Sequence, residues 1–112
     1  MTDVSKLLNE KVIEFNSKIK DDTGMAKMIE GKTRTICICV LDGDNYVSKL
    51  ENLKLGDFER TDDTNSDLIV TASSEILEAL ISKTMSPIKA FMKANLKVKA
   101  GLMDMLLLKK LF

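Results

Sequence analysis

A short alternating segment constrains the fold of this chain more than any other feature. Residues 33–41 are rich in β-branched side chains, and Asp42-Gly43 follows them directly. An Asp-Gly pair after such a segment is a strong signal for the turn of a β-hairpin. We therefore predict a strand over residues 33–41 and a returning antiparallel strand over residues 45–52. The side chains of the first strand that we expect to face the core are Ile36, Ile38 and Val40.

Helical periodicity surrounds this hairpin. Residues 3–20 place apolar side chains at spacings of three and four, which predicts an amphipathic helix, and a short second helix should end at Gly31. Ser73, and later Ser86 before Pro87, are the residue types that begin helices, and we expect one helix after each. The side chains that the second of these helices should bury are Ile88, Phe91 and Met92.

The remaining segments complete a fold prediction. Further strands are predicted over residues 53–60, 68–72 and 96–99, a polar loop over residues 61–66, and a final helix over residues 102–112. The order lacks the alternation of strand, helix and strand that parallel sheets require. We therefore predict an α+β fold, with a five-stranded, mostly antiparallel sheet covered by about five helices. The length fits a single domain over residues 1–112.

The charges and side chains available exclude several classes of function. Seventeen Lys and Arg balance seventeen Asp and Glu, which argues against binding to nucleic acid because that requires a basic excess. The sequence contains no His, so catalysis by Ser-His or Cys-His pairs and His-containing metal sites are excluded. Its five Gly are scattered and form no phosphate-binding loop. We therefore predict a protein that is not an enzyme.

The number and spacing of the cysteines and carboxylates do not predict a metal or cofactor site. Cys37 and Cys39 would lie two residues apart on one strand, with Cα atoms roughly 6.5–7 Å apart, at or beyond the usual limit for a disulfide. A Zn²⁺ site needs about four ligands, and the chain has no other Cys. Asp42 and Asp44 flank the hairpin turn, where ordinary turn chemistry explains them. We expect two cysteines that pack in the sheet, no metal and no cofactor.

The sequence shows no signal for secretion or membrane insertion. The first residues become charged at Asp3 without an apolar signal segment, and no apolar segment approaches the roughly 20 residues that span a bilayer. Two cysteines in 112 residues do not form the disulfide framework that is typical of small secreted domains. The predicted location is therefore the cytoplasm.

Methionine content and the last helix are the features that point to a ligand. Six internal Met occur in a chain with one Tyr and no Trp, and Met suits surfaces that accept variable apolar shapes. In residues 102–112, eight of eleven side chains are apolar, and the charged residues lie at different angles around the helix. Such a helix is buried in the core, contacts a partner or covers a lipid.

Four segments of the second half form an ordered set. In chain order they are Asp67-Leu68-Ile69-Val70, Ser73-Ser74-Glu75, Ser86-Pro87-Ile88-Lys89-Ala90-Phe91-Met92 and Leu96-Lys97-Val98-Lys99. This set resembles the sterol carrier protein 2 family, in which a strand and a Ser-capped helix precede a Pro-x-x-Ala-x-Met helix, a Leu-Lys-Ile/Val strand and a final apolar helix. The chain departs from the family pattern where Gly is usual, at Ala94-Asn95 and Ala100-Gly101. We expect Asn95 and Gly101 to supply the unusual backbone angles there.

The resemblance implies an apolar tunnel between the sheet and the helices. Members of the family bind fatty acids, acyl-CoAs, phospholipids or sterols, so the chain should bind or carry a long-chain lipid without catalysis. Each buried methylene contributes about 0.8 kcal/mol, and a sixteen-carbon chain therefore offers on the order of 12 kcal/mol before the costs of binding. The alternative is an interaction or accessory module with a filled core, whose last helix binds a partner or a second copy.

Twelve apolar side chains are predicted to line this tunnel. They are Met25, Met28, Ile36, Ile38, Leu80, Ile81, Met85, Phe91, Met92, Leu102, Met105 and Leu106. The basic residues Lys93, Lys97 and Lys99 either meet an anionic head group or remain solvated. The predicted partners are a lipid or acyl ligand, a membrane in transient contact and a second copy in a homodimer, with nucleic acid excluded.

Overall fold

The order of helices and strands agrees with the predicted order. The computed structural model of the chain describes residues 3–112, apart from the side chain of Met103. The helices are α1 (Val4–Asp21), α2 (Thr23–Ile29), α3 (Ser74–Ile81), α4 (Pro87–Met92) and α5 (Leu102–Leu111). The strands are β1 (Arg34–Val40), β2 (Asn45–Glu51), β3 (Lys54–Leu55), β4 (Glu59–Thr61), β5 (Leu68–Ala72) and β6 (Lys97–Lys99). The α+β class and the mostly antiparallel sheet are confirmed.

The two predicted serine caps begin their helices. The Ser73 hydroxyl accepts a hydrogen bond from the Ile76 N–H at 3.3 Å, and the Ser86 hydroxyl accepts one from the Lys89 N–H at 3.1 Å. Pro87 occupies the first turn of α4, where its missing N–H costs nothing. These local signals therefore determine where α3 and α4 start.

The sheet contains one parallel pair among antiparallel ones. Its strand order is β3-β2-β1-β5-β6, and β4 also pairs with β2. Strand β1 is antiparallel to β2, with Ile38 opposite Tyr46, and parallel to β5, with Ile38 opposite Val70. A parallel pair needs a long connection between its strands, and here β2, β3 and β4 supply it in place of a helix. The sheet is therefore mixed, with one strand more than the five predicted.

The segment predicted as a single third strand, residues 53–60, forms the two short strands β3 and β4. Helix α1 supplies the physical reason. The Asn16 side chain accepts from the Leu55 N–H at 2.8 Å and donates to the Leu55 carbonyl at 2.9 Å. The Asn9 side chain accepts from the Phe58 N–H at 2.8 Å. Side chains of α1 thus satisfy backbone groups that a neighbouring strand would otherwise pair.

The hydrophobic core includes the predicted inner face of the sheet. Ile36, Ile38 and Val40 are each at most 5% exposed, and they belong to one cluster with Phe15 of α1. Cys37 is also fully buried although it lies on the opposite face of β1. The alternation of side chains along β1 therefore predicts the core face correctly, but it does not predict that Cys37 is buried on the opposite face.

Helix α5 is buried along one side. The side chains that it packs into the core are Leu107, Leu108 and Leu111. Leu102 is 82% exposed and Leu106 is 43% exposed on the other side. The Asp104 carboxylate, 3.0 Å from the Arg34 Nε, attaches the start of the helix to β1. Of the helices in residues 3–112, none is both long and apolar enough to cross a membrane.

Candidate functional site

An apolar cavity opens between α4, β6 and α5. Its volume of about 450 Å³ lies within the range of small-molecule pockets. Ser86 and Lys109 contribute polar side chains to its wall. The complete lining consists of Ser86, Pro87, Ile88, Phe91, Leu96, Val98, Leu102, Met105, Leu106, Leu108, Lys109 and Phe112. The arrangement suits an apolar ligand that carries one polar or anionic end.

Helix α4 forms one wall of the cavity because it packs through a small side chain. Ala90 is fully buried, so the helix lies against the core at this position. We predicted Ile88, Phe91 and Met92 as the buried side, and this prediction is wrong. These three side chains are 62%, 49% and 78% exposed, respectively. The larger side chains are directed toward the cavity and the solvent, because the face that meets the core is occupied by alanine.

A tight turn connects α4 to β6 and positions the second wall. Ala94 has a φ of 61°, in the left-handed region, and the Ala90 carbonyl accepts from both the Asn95 and the Leu96 N–H. We expected Asn95 and Gly101 to supply the unusual angles. Ala94 supplies the positive φ instead, and Gly101, with a φ of −73°, caps α5 in an extended conformation. This turn directs Leu96 and Val98 into the cavity wall.

The structure brings four of the twelve predicted lining residues together at the cavity. These four are Phe91, Leu102, Met105 and Leu106. Four others lie in the packed core, at most 3% exposed: Met25, Ile36, Ile38 and Leu80. Ile81 and Met85 pack against that core, Met92 is exposed, and Met28 borders a crevice of only about 10 Å³. Ligand contact by any of the twelve remains a prediction.

Several lining residues were not among the predicted twelve. Val98 lies on β6 and Leu96 directly before it, and Leu108 and Phe112 lie four residues apart at the end of the chain. The alternation of Val98 with Lys97 and Lys99 was a usable signal, because it separates an apolar side of the strand from a charged one. The serine cap was a second signal, since Ser86 and Pro87 themselves line the cavity.

The lysines divide into one at the cavity and three outside it. Lys109 contributes to the lining. Lys93, Lys97 and Lys99 are exposed and lie outside the lining, although they are close in sequence to residues that form it. Lys109 is therefore better placed than the three predicted lysines to meet an anionic group at the mouth of the cavity.

A larger groove of about 640 Å³ runs between the ends of α1, α2 and α5, and its chemistry is different. Its wall includes Lys18, Asp21, Asp22 and Lys110, and the Lys110 Nζ lies 3.9 Å from an Asp22 carboxylate oxygen. Charged groups therefore line it, in contrast to the cavity at α4. A lipid chain gains little from such a surface, because the charged side chains would lose their water.

The two cysteines are free thiols, with their Sγ atoms 3.8 Å apart. Burial raises the pKa of the Cys37 thiol to about 12, and the hydrogen bond with Cys39 acts in the same direction. Metal ions and electrophiles react with thiolates, and this environment disfavours the thiolate. In the part of the chain that the structure describes, no group of three or more His, Cys, Asp or Glu is placed to hold a metal.

Carboxylates at the turns bind backbone groups. Asp42 accepts hydrogen bonds from both the N–H and the hydroxyl of Ser74, and these bonds lower the pKa of its carboxyl. Asp67 accepts from the N–H and the hydroxyl of Thr35, and its pKa is lowered for the same reason. These acids therefore stabilise the starts of elements through bonds between residues 32 positions apart, whereas local turn chemistry was predicted for Asp42.

Comparisons with known proteins identify the family and the fold. A model of the SCP-2 sterol transfer family matches residues 6–112. The sequence has no match among curated proteins. The fold is similar to that of sterol carrier protein 2 from Aedes aegypti in complex with palmitate, with a TM-score of 0.66 and 18% identity over 97% of this chain and 94% of that one.

Two further structures show how widely the fold is used. The sterol carrier protein domain 2 of Helicoverpa armigera is similar with a TM-score of 0.60 and 22% identity, over 90% of this chain and 85% of that one. The sec-alkylsulfatase Pisa1 from Pseudomonas sp. is similar with a TM-score of 0.62 and 14% identity, over 77% of this chain. The matched part is only 14% of the alkylsulfatase, so the same fold also occurs as a small part of a large enzyme.

Proposed function

This chain belongs to the SCP-2 sterol transfer family, and we propose that it binds and carries a long-chain lipid without catalysing a reaction. The observation that carries the proposal is the 450 Å³ apolar cavity between α4, β6 and α5. Candidate ligands are a fatty acid, an acyl-CoA, a phospholipid or a sterol-like molecule. The complex of palmitate with the Aedes aegypti protein of similar fold makes a fatty acid the first ligand to test.

Partitioning is the proposed mechanism of binding. A sixteen-carbon chain that leaves water gains on the order of 12 kcal/mol, and micromolar affinity requires only about 8 kcal/mol after the costs of association. The cavity wall supplies apolar contacts through Phe91, Met105 and Leu106. Lys109 is proposed to meet the carboxylate of a fatty acid at the mouth. No covalent step is required for a cycle of uptake and release.

The predicted tunnel is proposed as an inward extension of this cavity. Phe91, Leu102, Met105 and Leu106 would contact the ligand first. The seven predicted residues in or against the core would contact it only when the core opens to admit a longer chain, whereas Met92 is exposed on α4. The flexible side chains of Met28 and Met85, both partly buried against the core, are the easiest to displace.

The proposed setting is a single lipid-binding domain over residues 1–112 that acts in the cytoplasm. Both cysteines are free, and a reducing compartment keeps thiols in that state. The alternative function is an interaction module with a filled core. In that case α5 would contact a protein partner, whereas in a lipid carrier it would contact the lipid. Ligand binding in solution separates the two.

Tryptophan substitutions at the cavity test the proposal. Met105→Trp and Leu106→Trp place an indole in existing space, so the melting temperature should hold or rise while lipid competes with the indole and loses affinity. Leu80→Trp is the matched control, because Leu80 is 1% exposed in the core and overpacking there should cost about 1–3 kcal/mol. The measurements are thermal melting and titration with a fluorescent fatty acid, followed by displacement with palmitate and with the corresponding alcohol.

The parent should bind the fluorescent fatty acid near one equivalent at micromolar concentration or below. Stronger displacement by palmitate than by the alcohol would support contact between Lys109 and the carboxylate. If the parent binds no probe, and all three Trp variants are destabilised to the same extent, the carrier function is wrong. The cavity would then be a defect of packing, and the interaction module would be the better explanation.

A further inference from the structure

Charge is distributed very unevenly along a chain whose formal net charge is zero. Residues 83–112 contain seven Lys and a single acidic residue, Asp104, which gives them a formal charge of +6. Residues 1–82 contain ten Lys and Arg against sixteen Asp and Glu, a formal charge of −6. Asp104 is paired with Arg34 of β1, and Lys83 and Lys110 are paired with Glu14 and Asp22 of the acidic part, which leaves Lys89, Lys93, Lys97, Lys99 and Lys109. The elements that surround the cavity are therefore strongly basic.

The same elements expose large apolar side chains. Of the eight large hydrophobic residues that are exposed in the described chain, five lie on α4 and α5: Ile88, Phe91, Met92, Leu102 and Leu106. Four of these line the cavity, and Met92, at 78% exposed, lies beside it on α4. A cluster of exposed apolar residues on a small protein marks an interaction site. This cluster coincides with the mouth of the cavity.

Exposed lysines accompany these apolar side chains on α4 and α5. Lys89 and Lys93 are exposed at α4, whereas Lys97 and Lys99 are exposed on the side of β6 opposite Val98 and the cavity. Lys109 is exposed on α5. Apolar side chains beside exposed lysines are typical of protein surfaces that lie at the boundary of an anionic bilayer, where the apolar groups insert and the lysines meet lipid phosphates.

We propose that α4, β6 and α5 form a docking surface for an anionic lipid bilayer, with the mouth of the cavity facing the membrane. Charge complementarity selects this partner, because the exposed Lys89, Lys93 and Lys109 beside the mouth attract anionic head groups. A second copy that used the same surface in a two-fold dimer would place like charges against each other. The role of this surface rests on the proposed function. When the opening of the cavity faces the bilayer, an acyl chain can move between the two without crossing water.

Flotation with vesicles tests the docking surface. The parent should bind vesicles that contain 30% phosphatidylserine in phosphatidylcholine, should not bind vesicles of phosphatidylcholine alone, and should be released as salt rises from about 0.05 to about 0.5 M. The double variant Lys89→Glu/Lys93→Glu should lose at least about twentyfold in affinity, because each lysine near such a surface contributes roughly fivefold. Met92→Gln should lose about fivefold, since it removes an inserting side chain.

The matched control is Lys6→Glu/Lys27→Glu, which reverses two exposed lysines outside the basic region and should change vesicle affinity by less than about threefold. The four exchanged lysines lie outside the lining of the cavity, so both double variants should bind the fluorescent fatty acid in solution like the parent. Absence of probe binding with vesicle binding intact would contradict the proposed function but not the docking surface. Equal vesicle binding by both double variants, or a parent dimer that only Lys89→Glu/Lys93→Glu dissociates, would overturn the docking proposal.

Discussion

The region built on α1 and the region built on α4 and α5 contain similar apolar side chains but bury them to different degrees. Phe15 on α1 is 2% exposed, whereas Phe91 on α4 is 49% exposed. Helix α1 has 18 residues and contacts α2, α3, α5 and β3, so its apolar side is covered along its length. Helix α4 has six residues and packs through Ala90. An apolar helix face therefore becomes core only when enough neighbouring structure covers it.

The largest expected effect comes from truncating the two phenylalanines. Phe15→Ala removes a buried ring and should lower the free energy of unfolding by about 3–5 kcal/mol, because it leaves a cavity in close-packed core. Phe91→Ala should lower it by less than about 1 kcal/mol, since half of that side chain is in solvent, but it should weaken binding of the fluorescent fatty acid. Urea denaturation and probe titration measure both. Equal losses of stability would mean that the cavity region is ordinary core.

An intermediate effect is expected at Glu14, which stabilises the well-covered region built on α1. Its carboxylate pairs with Lys18 at 2.9 Å, with the buried Lys11 at 3.1 Å and with Lys83 at 3.8 Å. Hydrogen bonds from Lys18 and Lys11 lower its pKa from 4.5 to about 2. Because this folded-state pKa is lowered, the stabilisation is complete above about pH 4.5 and is lost as the pH falls toward 2.

Glu14→Gln should lower the free energy of unfolding at pH 7 by about 1–2 kcal/mol, a moderate loss because the carboxylate is 40% exposed and water screens its ion pairs. Between pH 4.5 and 2, the free energy of unfolding should also fall less steeply in the variant than in the parent. Urea denaturation at several pH values measures both effects, with Glu10→Gln, an exposed position on the same helix, as the control. A pH profile that is unchanged by Glu14→Gln would contradict this explanation.

The smallest expected effect lies in the region built on α4 and α5, at the turn after α4. Ala94 has a φ of 61°, which costs an L-residue about 1–2 kcal/mol, whereas glycine adopts this angle freely. Ala94→Gly should therefore raise the free energy of unfolding by up to about 1 kcal/mol, after allowance for the greater entropy of the unfolded chain. Ala100→Gly, at a position without a positive φ, should not stabilise and serves as the control. Thermal melting compares the two.

The sequence predicts this fold well where short-range chemistry decides the structure. The Asp42-Gly43 turn, the serine caps at Ser73 and Ser86 and the inner face of β1 depend on residues within four positions of each other. The parallel pair of β1 with β5 could not be predicted in this way, because it joins residues 32 positions apart. The division of residues 53–60 has the same origin, since Asn9 and Asn16 of α1 act across about 40 to 50 positions.

The sequence indicated part of the candidate site, because four of the twelve predicted residues line the cavity. The apolar last helix was the feature that pointed to a ligand, and it borders the cavity, as does the Ser86-Pro87 start of α4. Periodicity could not separate Ile38, which is fully buried, from Leu102, which is 82% exposed, because both belong to equally apolar segments. Which of them faces a cavity depends on the size of the neighbours, such as Ala90, and on how short α4 is.

Strand β6 has a consequence for how this protein behaves at high concentration. It lies at the end of the sheet, with β5 as its neighbour, so its outer edge offers backbone groups to any extended chain that approaches. Three residues give such a chain little to pair with, and Lys97 and Lys99 place two charges on one face of this edge. Short, lysine-flanked edges prevent one sheet from continuing into the next. The protein therefore resists growth into aggregated sheets at the very edge beside which its apolar cavity stands open.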